Sequence, residues 1–260
     1  MPAASLPPPY AELVPLDRSL HRLARIKPVP ENLSGSLGMN AVFCAAAEFG
    51  EACKAFPLLF VRAGETDATT GQPVITPVCL LGLEDGQNLF VEPGSGRWTG
   101  AYLPAYLRRH PYALVKSASA DAAPAVAIDP RHPGFLPEGG GDDAGERLFD
   151  DEGLPTAHLQ SVMRFLHDFD QAADRTRPIG AHLQALGLLK EMRAQGALPG
   201  GQRFSVDGFM VVDEARLRDL PDDAVLALHR NGLLALVHAH LVSLDNIRHL
   251  VARRSAQLAG

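Results

Sequence analysis

The sequence predicts an α+β fold, and three features of its patterning predict it. Up to about residue 155, short apolar runs of strand length alternate with turn residues. From Thr156 onward the apolar positions step by three and four, the spacing of helices that pack through one face. The one long Ala/Asp/Pro/Gly excursion, residues 117–145, lies inside the first half, so it does not separate two complete units. The expected organisation is a mobile proline-rich tail over residues 1–9 and a single domain over 10–255. That domain is β-rich over 10–155 and mainly helical, with a small β element, over 156–255.

Ser19 to Lys27 reads as a short extended element ended by Pro28. Ala45 to Lys54 is Ala- and Glu-rich and reads as helix, leading into a strand over Phe56 to Arg62. Residues 64–73, GETDATTGQP, carry turn chemistry and form a loop. Val78 to Leu83 and Asn88 to Glu92 are expected as a hairpin about Glu84-Asp85-Gly86. After the Pro93–Gly96 turn, Pro104 can open a short helix over Ala105 to Arg109 that Pro111 ends. Tyr112 to Lys116 and Ala125 to Ile128 read as strands.

Thr156 is the expected N-cap of a helix to Asp174, followed by a second helix over Ile179 to Gln195 with Gly196 as its C-cap. Gln202 to Val212 is expected as a hairpin turning at Asp207-Gly208, then short helices end at Leu220 and Arg230. Leu233 to Val242, a continuous apolar run, reads as a buried strand, and Ile247, Leu250 and Val251 belong to a closing helix.

Composition bounds the function. With 24 Lys+Arg against 30 Asp+Glu the net charge is -6, which argues against a general electrostatic grip on nucleic acid. The first residues lack the pattern of a secretory signal and no apolar run reaches membrane-spanning length, so a cytoplasmic protein without a membrane span is expected. Cys44, Cys53 and Cys79 have no C-x-x-C spacing and are expected as buried free thiols.

Asn88 to Leu114 gathers the only Trp of the chain and three of its four Tyr with an Arg-Arg-His-Pro run. Guanidinium forks bind carboxylates and phosphates, and aromatic faces bind planar groups. The candidate ligand-binding residues are therefore Trp98, Tyr102, Tyr106, Arg108, Arg109 and His110. Adjacent arginines on a helix point to different sides, so at most one of the two is expected in any given pocket. The bland reading of the same residues is packing at the edge of a core.

His238 and His240 would share one face of a strand and could ligate a metal, with His249 or His158 as a distant third ligand, and would diverge on a helix; buried, hydrogen-bonded imidazole is the favoured reading. No G-x-S-x-G elbow, P-loop or dinucleotide fingerprint is present, and no cofactor is expected. Asp142, Asp143, Asp150, Asp151 and Glu152 read as a solvated acidic face with at most weak Ca²⁺ attraction.

Several blocks resemble the SapC family, a bacterial family of about this length whose name comes from a surface-layer context. They are AELVPLDRSLHR, AAEFGEACKAFPLLF, LLGLEDGQNLFVEPGSGRWTGAYLPAYLRRHPYAL, RLFDDEGLPT and FSVDGFMVVDEARLRDLPDDAVLALHRNGLLALVHAHLVSLDNIRHL. The likeness runs from Tyr10 to about Val251 and is most specific in NLF…W…YLPAYLRRHP. It departs from the family at His110, where an aromatic residue is expected, and in the length of the 64–73 loop. The resemblance implies no catalytic residues. The function expected is a binding or accessory protein that recognises a peptide, a protein segment or a small anionic molecule through residues 88–114. The alternative is an enzyme using the same cleft, with Arg108 or Arg109 stabilising charge and His110 or His240 moving protons.

Overall fold

A computed structural model describes residues 8–27, 32–66, 71–115, 124–140, 145–198, 201 and 203–259. In chain order the strands are β1 (Val14–Pro15), β2 (Arg25–Ile26), β3 (Ala41–Phe43), β4 (Leu58–Thr66), β5 (Pro73–Leu80), β6 (Tyr112–Val115), β7 (Ala125–Ile128), β8 (Phe135–Leu136), β9 (Glu146–Arg147), β10 (Leu189–Ala197) and β11 (Arg203–Val212). The helices are α1 (Phe49–Ala52), α2 (Ala105–Arg108), α3 (Ala157–Ala185), α4 (Glu214–Arg218), α5 (Asp222–Arg230), α6 (Leu233–Ser243) and α7 (Ile247–Ala259). The fold class is α+β, with β-sheets early in the chain and helices late. Its backbone divides into two compact units of interleaved segments: residues 1–36, 91–99 and 107–170 in the first, 37–90, 100–106 and 171–260 in the second.

The first unit holds two small antiparallel sheets, ordered β1-β7-β6 and β8-β2-β9. Its core joins Ile26, Tyr112, Ile128, Leu148, Leu159 and Leu166. Thr156 caps α3 as expected, its hydroxyl oxygen accepting from Leu159 N at 3.4 Å. Residues 1–7 of the expected tail and residues 141–144, with Asp142 and Asp143, lie outside the described residues. The neighbouring Asp150 is engaged locally, accepting from Glu152 N and Leu154 N at 3.0 and 2.7 Å.

The second unit is built on one five-stranded antiparallel sheet, β10-β11-β4-β5-β3. One face carries Phe60, Ile75, Met210 and Val212 into a core with Ile179 and Leu183 of α3, Leu228 of α5 and Val237 of α6. Here α3 lies directly on β5. A Cβ on Gly180 would stand 2.2 Å from the Ile75 carbonyl oxygen and 2.6 Å from its Cβ. Gly180→Ala would gain helix propensity of about 1 kcal/mol, yet it must push the helix off the sheet. The expected net result is a loss of roughly 2 kcal/mol, checked by chemical denaturation; equal or greater stability would show that the helix can shift freely.

Several sequence expectations are corrected here. The helices expected over 156–174 and 179–195 are one helix to Ala185, because Pro178 sits on its exposed side and the buried Ile179 and Leu183 anchor the turn beyond it. That helix then stops at Gly187, whose φ is +66°. Leu188 N bonds to Leu183 O and Gly187 N to Gln184 O, a left-handed C-terminal cap that buries Leu188 against Leu183. Residues 189–197 are consequently strand β10.

Asp207-Gly208 is not a hairpin turn: β11 runs through it, and the register with β10 shifts between Met192 and Ala194. The signal marked a bulge, with Gly208 at φ +77°; Gln202 lies outside the described residues. Leu233–Val242 is helical, because Leu and Ala outnumber β-branched residues in it and a continuous apolar run has no period that separates strand from helix. Asn88–Glu92 is not a strand: Leu89 N donates to Leu81 O at 2.9 Å, and among the described residues the segment's one bridge pairs Val91 with Trp98. The three cysteines are free, and Cys53 is half-exposed where burial was expected. Among the described residues no single helix is long and apolar enough to cross a membrane; Asp222–Arg230 with Leu233–Ala259 reaches that composition only as a pair bent by 91°.

Candidate functional site

The stretch 88–114 is fixed in place residue by residue. Val91 and Trp98 pair across the Pro93–Gly96 turn, with Glu92 N donating to Arg97 O at 2.9 Å, and Trp98 is 9% exposed. Gly96 has φ +70°, and a Cβ on it would stand 2.3 Å from Asn32 Oδ1 and 2.4 Å from Ser34 Oγ. The glycine-rich turn is therefore a close packing contact. In the second unit the Tyr102 hydroxyl and Ala105 N both donate to Glu48 Oε1, each at 2.7 Å, while Glu48 Oε2 accepts from Ala45 N at 3.1 Å. Glu48 is buried, so this carboxylate clamps residues 102–105. Tyr106 follows on α2, half-buried.

Arg108, Arg109 and His110 belong to the first unit. The Arg108 guanidinium lies 5.0 Å over the Phe165 ring, and that of Arg109 lies 5.1 Å over Phe169 and 5.5 Å over Tyr10. Phe165 and Phe169 are one turn apart on α3, so they share a face. This corrects the expectation that the two arginines part company, because Arg109 falls just beyond the end of α2 and both side chains run onto one helix. Each cation rests on a π face that fixes the plane of its fork. Arg108 is exposed and, among the described residues, forms no ion pair with a carboxylate.

His110 is packed against the Tyr10 ring at 5.4 Å and the His132 ring at 5.3 Å. Its side chain is 10% exposed, and its Nε2 stands 3.8 Å from Asp129 Oδ2, beyond hydrogen-bond range. Burial, reinforced by repulsion from His132, pushes its pKa down to about 4, against the weaker pull of Asp129. Burial also lowers His132. Both imidazoles are thus neutral at pH 7.

Asp129 serves the backbone: its Oδ2 accepts from Ala11 N at 2.7 Å and its Oδ1 from Arg131 N at 2.9 Å. Tyr10 donates its hydroxyl to Tyr112 O at 2.6 Å. The Tyr112 hydroxyl, its pKa raised by burial, shares a 3.2 Å hydrogen bond with His158 Nε2.

Of the six candidate residues, Arg109 and His110 meet at one partner, the Tyr10 ring, with Arg108 beside them on α3. Trp98 lies in the same unit, whereas Tyr102 and Tyr106 belong to the other. The reading from sequence missed Tyr10, Glu48, Asp129, His132 and Phe165. A faint signal exists for two of them: Asp129 and His132 close the apolar run AVAI in a D-P-R-H-P turn, a place where polar groups are held at a strand end.

His238 and His240 do not form a metal pair. They lie on helix α6, where His238 is exposed and His240 buried. Val212 N donates to His240 Nε2 at 3.0 Å, so the proton sits on Nδ1, which donates to Leu58 O at 2.8 Å. Both nitrogens are committed to main chain. Among the described residues no cluster of three or more His, Cys, Asp or Glu could hold a metal ion.

The model of one family, described as SapC, matches residues 16–250. The chain belongs to the SapC family. No match was found among curated proteins or among solved structures. The match covers both units of this SapC chain, including the arginine corner at 108–109 and the Glu48 clamp.

Proposed function

We propose that this SapC-family chain is a binding or accessory protein whose contact point is the Arg108–Arg109 corner. The ligand class is a carboxylate or phosphate carried by a peptide, a protein segment or a small molecule. The observation that carries the reading is the pair of guanidinium groups held on Phe165 and Phe169 of one helix face, with Arg108 exposed and lacking a carboxylate partner among the described residues. Guanidinium groups held by stacking lose less freedom when they bind an oxyanion. Tyr106 and His110 flank the pair in sequence, and Trp98 and Tyr102 act by holding the stretch in place. Three free thiols fit a reducing, cytoplasmic compartment.

The enzyme alternative keeps His110 beside Asp129 and His132, two neutral imidazoles near a buried carboxylate. It loses His240, whose nitrogens are both taken. Thermal-shift titration with inorganic phosphate, citrate and an acidic peptide tests the binding reading. A ligand at about 100 times its Kd raises stability by roughly 2.7 kcal/mol, and Arg108→Ala or Arg109→Ala should weaken binding about ten- to hundred-fold. Shifts that persist unchanged in both variants would overturn it.

A further inference from the structure

The second unit carries a cavity of about 490 Å³ that the Arg108–Arg109 reading does not use. Its floor is the sheet face opposite the core described above, formed by Leu59, Leu80, Phe209 and Val211; Met192 and Phe204 extend it toward the edge strand β10, and Leu244, Ile247 and Val251 form the helical wall. That wall is anchored elsewhere. The Arg253 guanidinium lies 4.3 Å over the Phe90 ring, and Arg254 reaches Glu84 at 3.4 Å, so α7 is held in position by contacts outside the groove.

Charge separates the possible occupants. Among the described residues the charged side chains in the lining are Arg193, on β10 opposite the β11 bulge, and Arg248, from the first turn of α7. Their partners, Asp207 at 3.6 Å from Arg193 and Asp245 beside Arg248, stand outside the lining, and all four side chains are exposed. Exposed pairs of this kind are weak and exchange readily for another anion. The cavity is therefore apolar at depth, with two guanidinium groups at its rim whose aspartate partners an incoming anion can replace. Condensed matter occupies roughly 30 Å³ per water-sized group, so the space suits a chain of about a dozen carbons with a compact head.

We infer that this groove binds a single-chain amphipath with an anionic head, of the fatty carboxylate class, with its alkyl chain along the sheet face and its head between Arg193 and Arg248. The site stands independently of the arginine corner in the other unit. Met192, exposed at the edge of the groove, supplies a flexible apolar cover for a chain of variable length.

The test is displacement of dansyl-undecanoic acid from the purified full chain by laurate, dodecanol and dodecylammonium, each below its micelle concentration. Saturable one-to-one binding is expected, with laurate favoured over dodecylammonium by about ten-fold. Ala194→Trp, which fills the groove, should weaken the probe by at least about ten-fold. The double charge reversal Arg193→Glu with Arg248→Glu, at exposed positions, should invert the preference between laurate and dodecylammonium and leave dodecanol unchanged; it decides the matter even if Ala194→Trp fails to fold. Absence of saturable binding, equal affinity for the two charged chains, or an unchanged preference after charge reversal would each overturn the proposal. So would self-association of the chain that Ala194→Trp abolishes without any laurate binding, which would assign the groove to a second copy.

Discussion

Replacing His240 by leucine is expected to destabilise the second unit by roughly 3 to 5 kcal/mol, a cost set by where the imidazole stands in the sheet. Strands β4 and β11 pair at Phe60 with Met210 and at Val61 with Phe209. Continued by two residues, that register would bring Val212 opposite Leu58. The imidazole of His240 occupies this step instead, taking the Val212 N–H on Nε2 and giving its Nδ1 proton to the Leu58 carbonyl. It is a side-chain rung where the main-chain ladder ends. Leucine fills the volume and leaves two buried main-chain groups without partners, whereas His240→Gln can restore one or both bonds and should cost about 1 to 2 kcal/mol.

The same geometry gives a pH dependence with a defined sign. Burial holds the folded pKa of His240 at about 4, below the ordinary 6.5, against the opposing pull of its hydrogen bond to the Leu58 carbonyl. The unfolded chain therefore binds the extra proton between those values. Stability from His240 is complete above pH 6.5 and is lost as pH falls toward 4, reaching about 2 kcal/mol of loss near pH 5. Hydrogen exchange at the Val212 amide reads this locally. In wild type its protection should fall as the pH drops from 7 to 5, after correction for the intrinsic rate, and His240→Gln should remove most of that slope. His110 titrates in the same direction in the other unit, so a global melting curve would retain part of it. A Val212 slope unchanged in the Gln variant would refute the assignment.

His240 also marks the limit of what the sequence discloses. Its helix is followed at three-residue intervals by Ser243 and Asn246, and all three side chains serve main chain. Ser243 Oγ accepts from Leu58 N at 2.9 Å, and Asn246 Nδ2 donates to Cys53 O at 2.7 Å and Phe56 O at 3.1 Å. The H-x-x-S-x-x-N spacing can be read as one helical face once the segment is known to be a helix. The apolar run Leu233–Val242 concealed that, because a fully apolar run carries no period. Elements with their own local signals were legible: the Thr156 cap, the turn at Gly86 and the Pro104 start of α2. Elements whose identity is decided by a distant partner were not. Strand β10 pairs only because β11 is there to receive it, and Asp207-Gly208 bulges rather than turns because β11 continues into its pairing with β4. In the candidate site, Arg108 and Arg109 were visible as chemistry, while Phe165, Phe169 and Tyr10, which hold them, stand far away in sequence and carry no mark of that role.

Glu48→Ala is the second substitution with a large expected effect, again roughly 3 to 5 kcal/mol. The Glu48 carboxylate is buried and receives three donors: Ala45 N, Ala105 N and the Tyr102 hydroxyl. Two of these are main-chain amides with no other route to water, and Ala105 is the first residue of α2, where an amide has no partner within the helix. Alanine would orphan both amides and take one partner from the Tyr102 hydroxyl. Glu48→Gln keeps the shape and one good acceptor, but its NH2 faces a donor, so a smaller loss of about 1 to 3 kcal/mol is expected. Hydrogen exchange at Ala45 distinguishes this from a general loss of packing. Glu48→Gln keeps its oxygen where two donors, Ala105 N and the Tyr102 hydroxyl, converge and turns its NH2 toward Ala45 N, so the Ala45 amide should exchange faster by ten-fold or more, while Ala105 and amides at the centre of β4 and β11 keep their protection. Arg108→Ala, by contrast, should leave both amides unaltered, because its guanidinium leans on Phe165 and takes no part in the clamp. Unchanged Ala45 protection in Glu48→Gln would mean that the carboxylate is not what holds this corner.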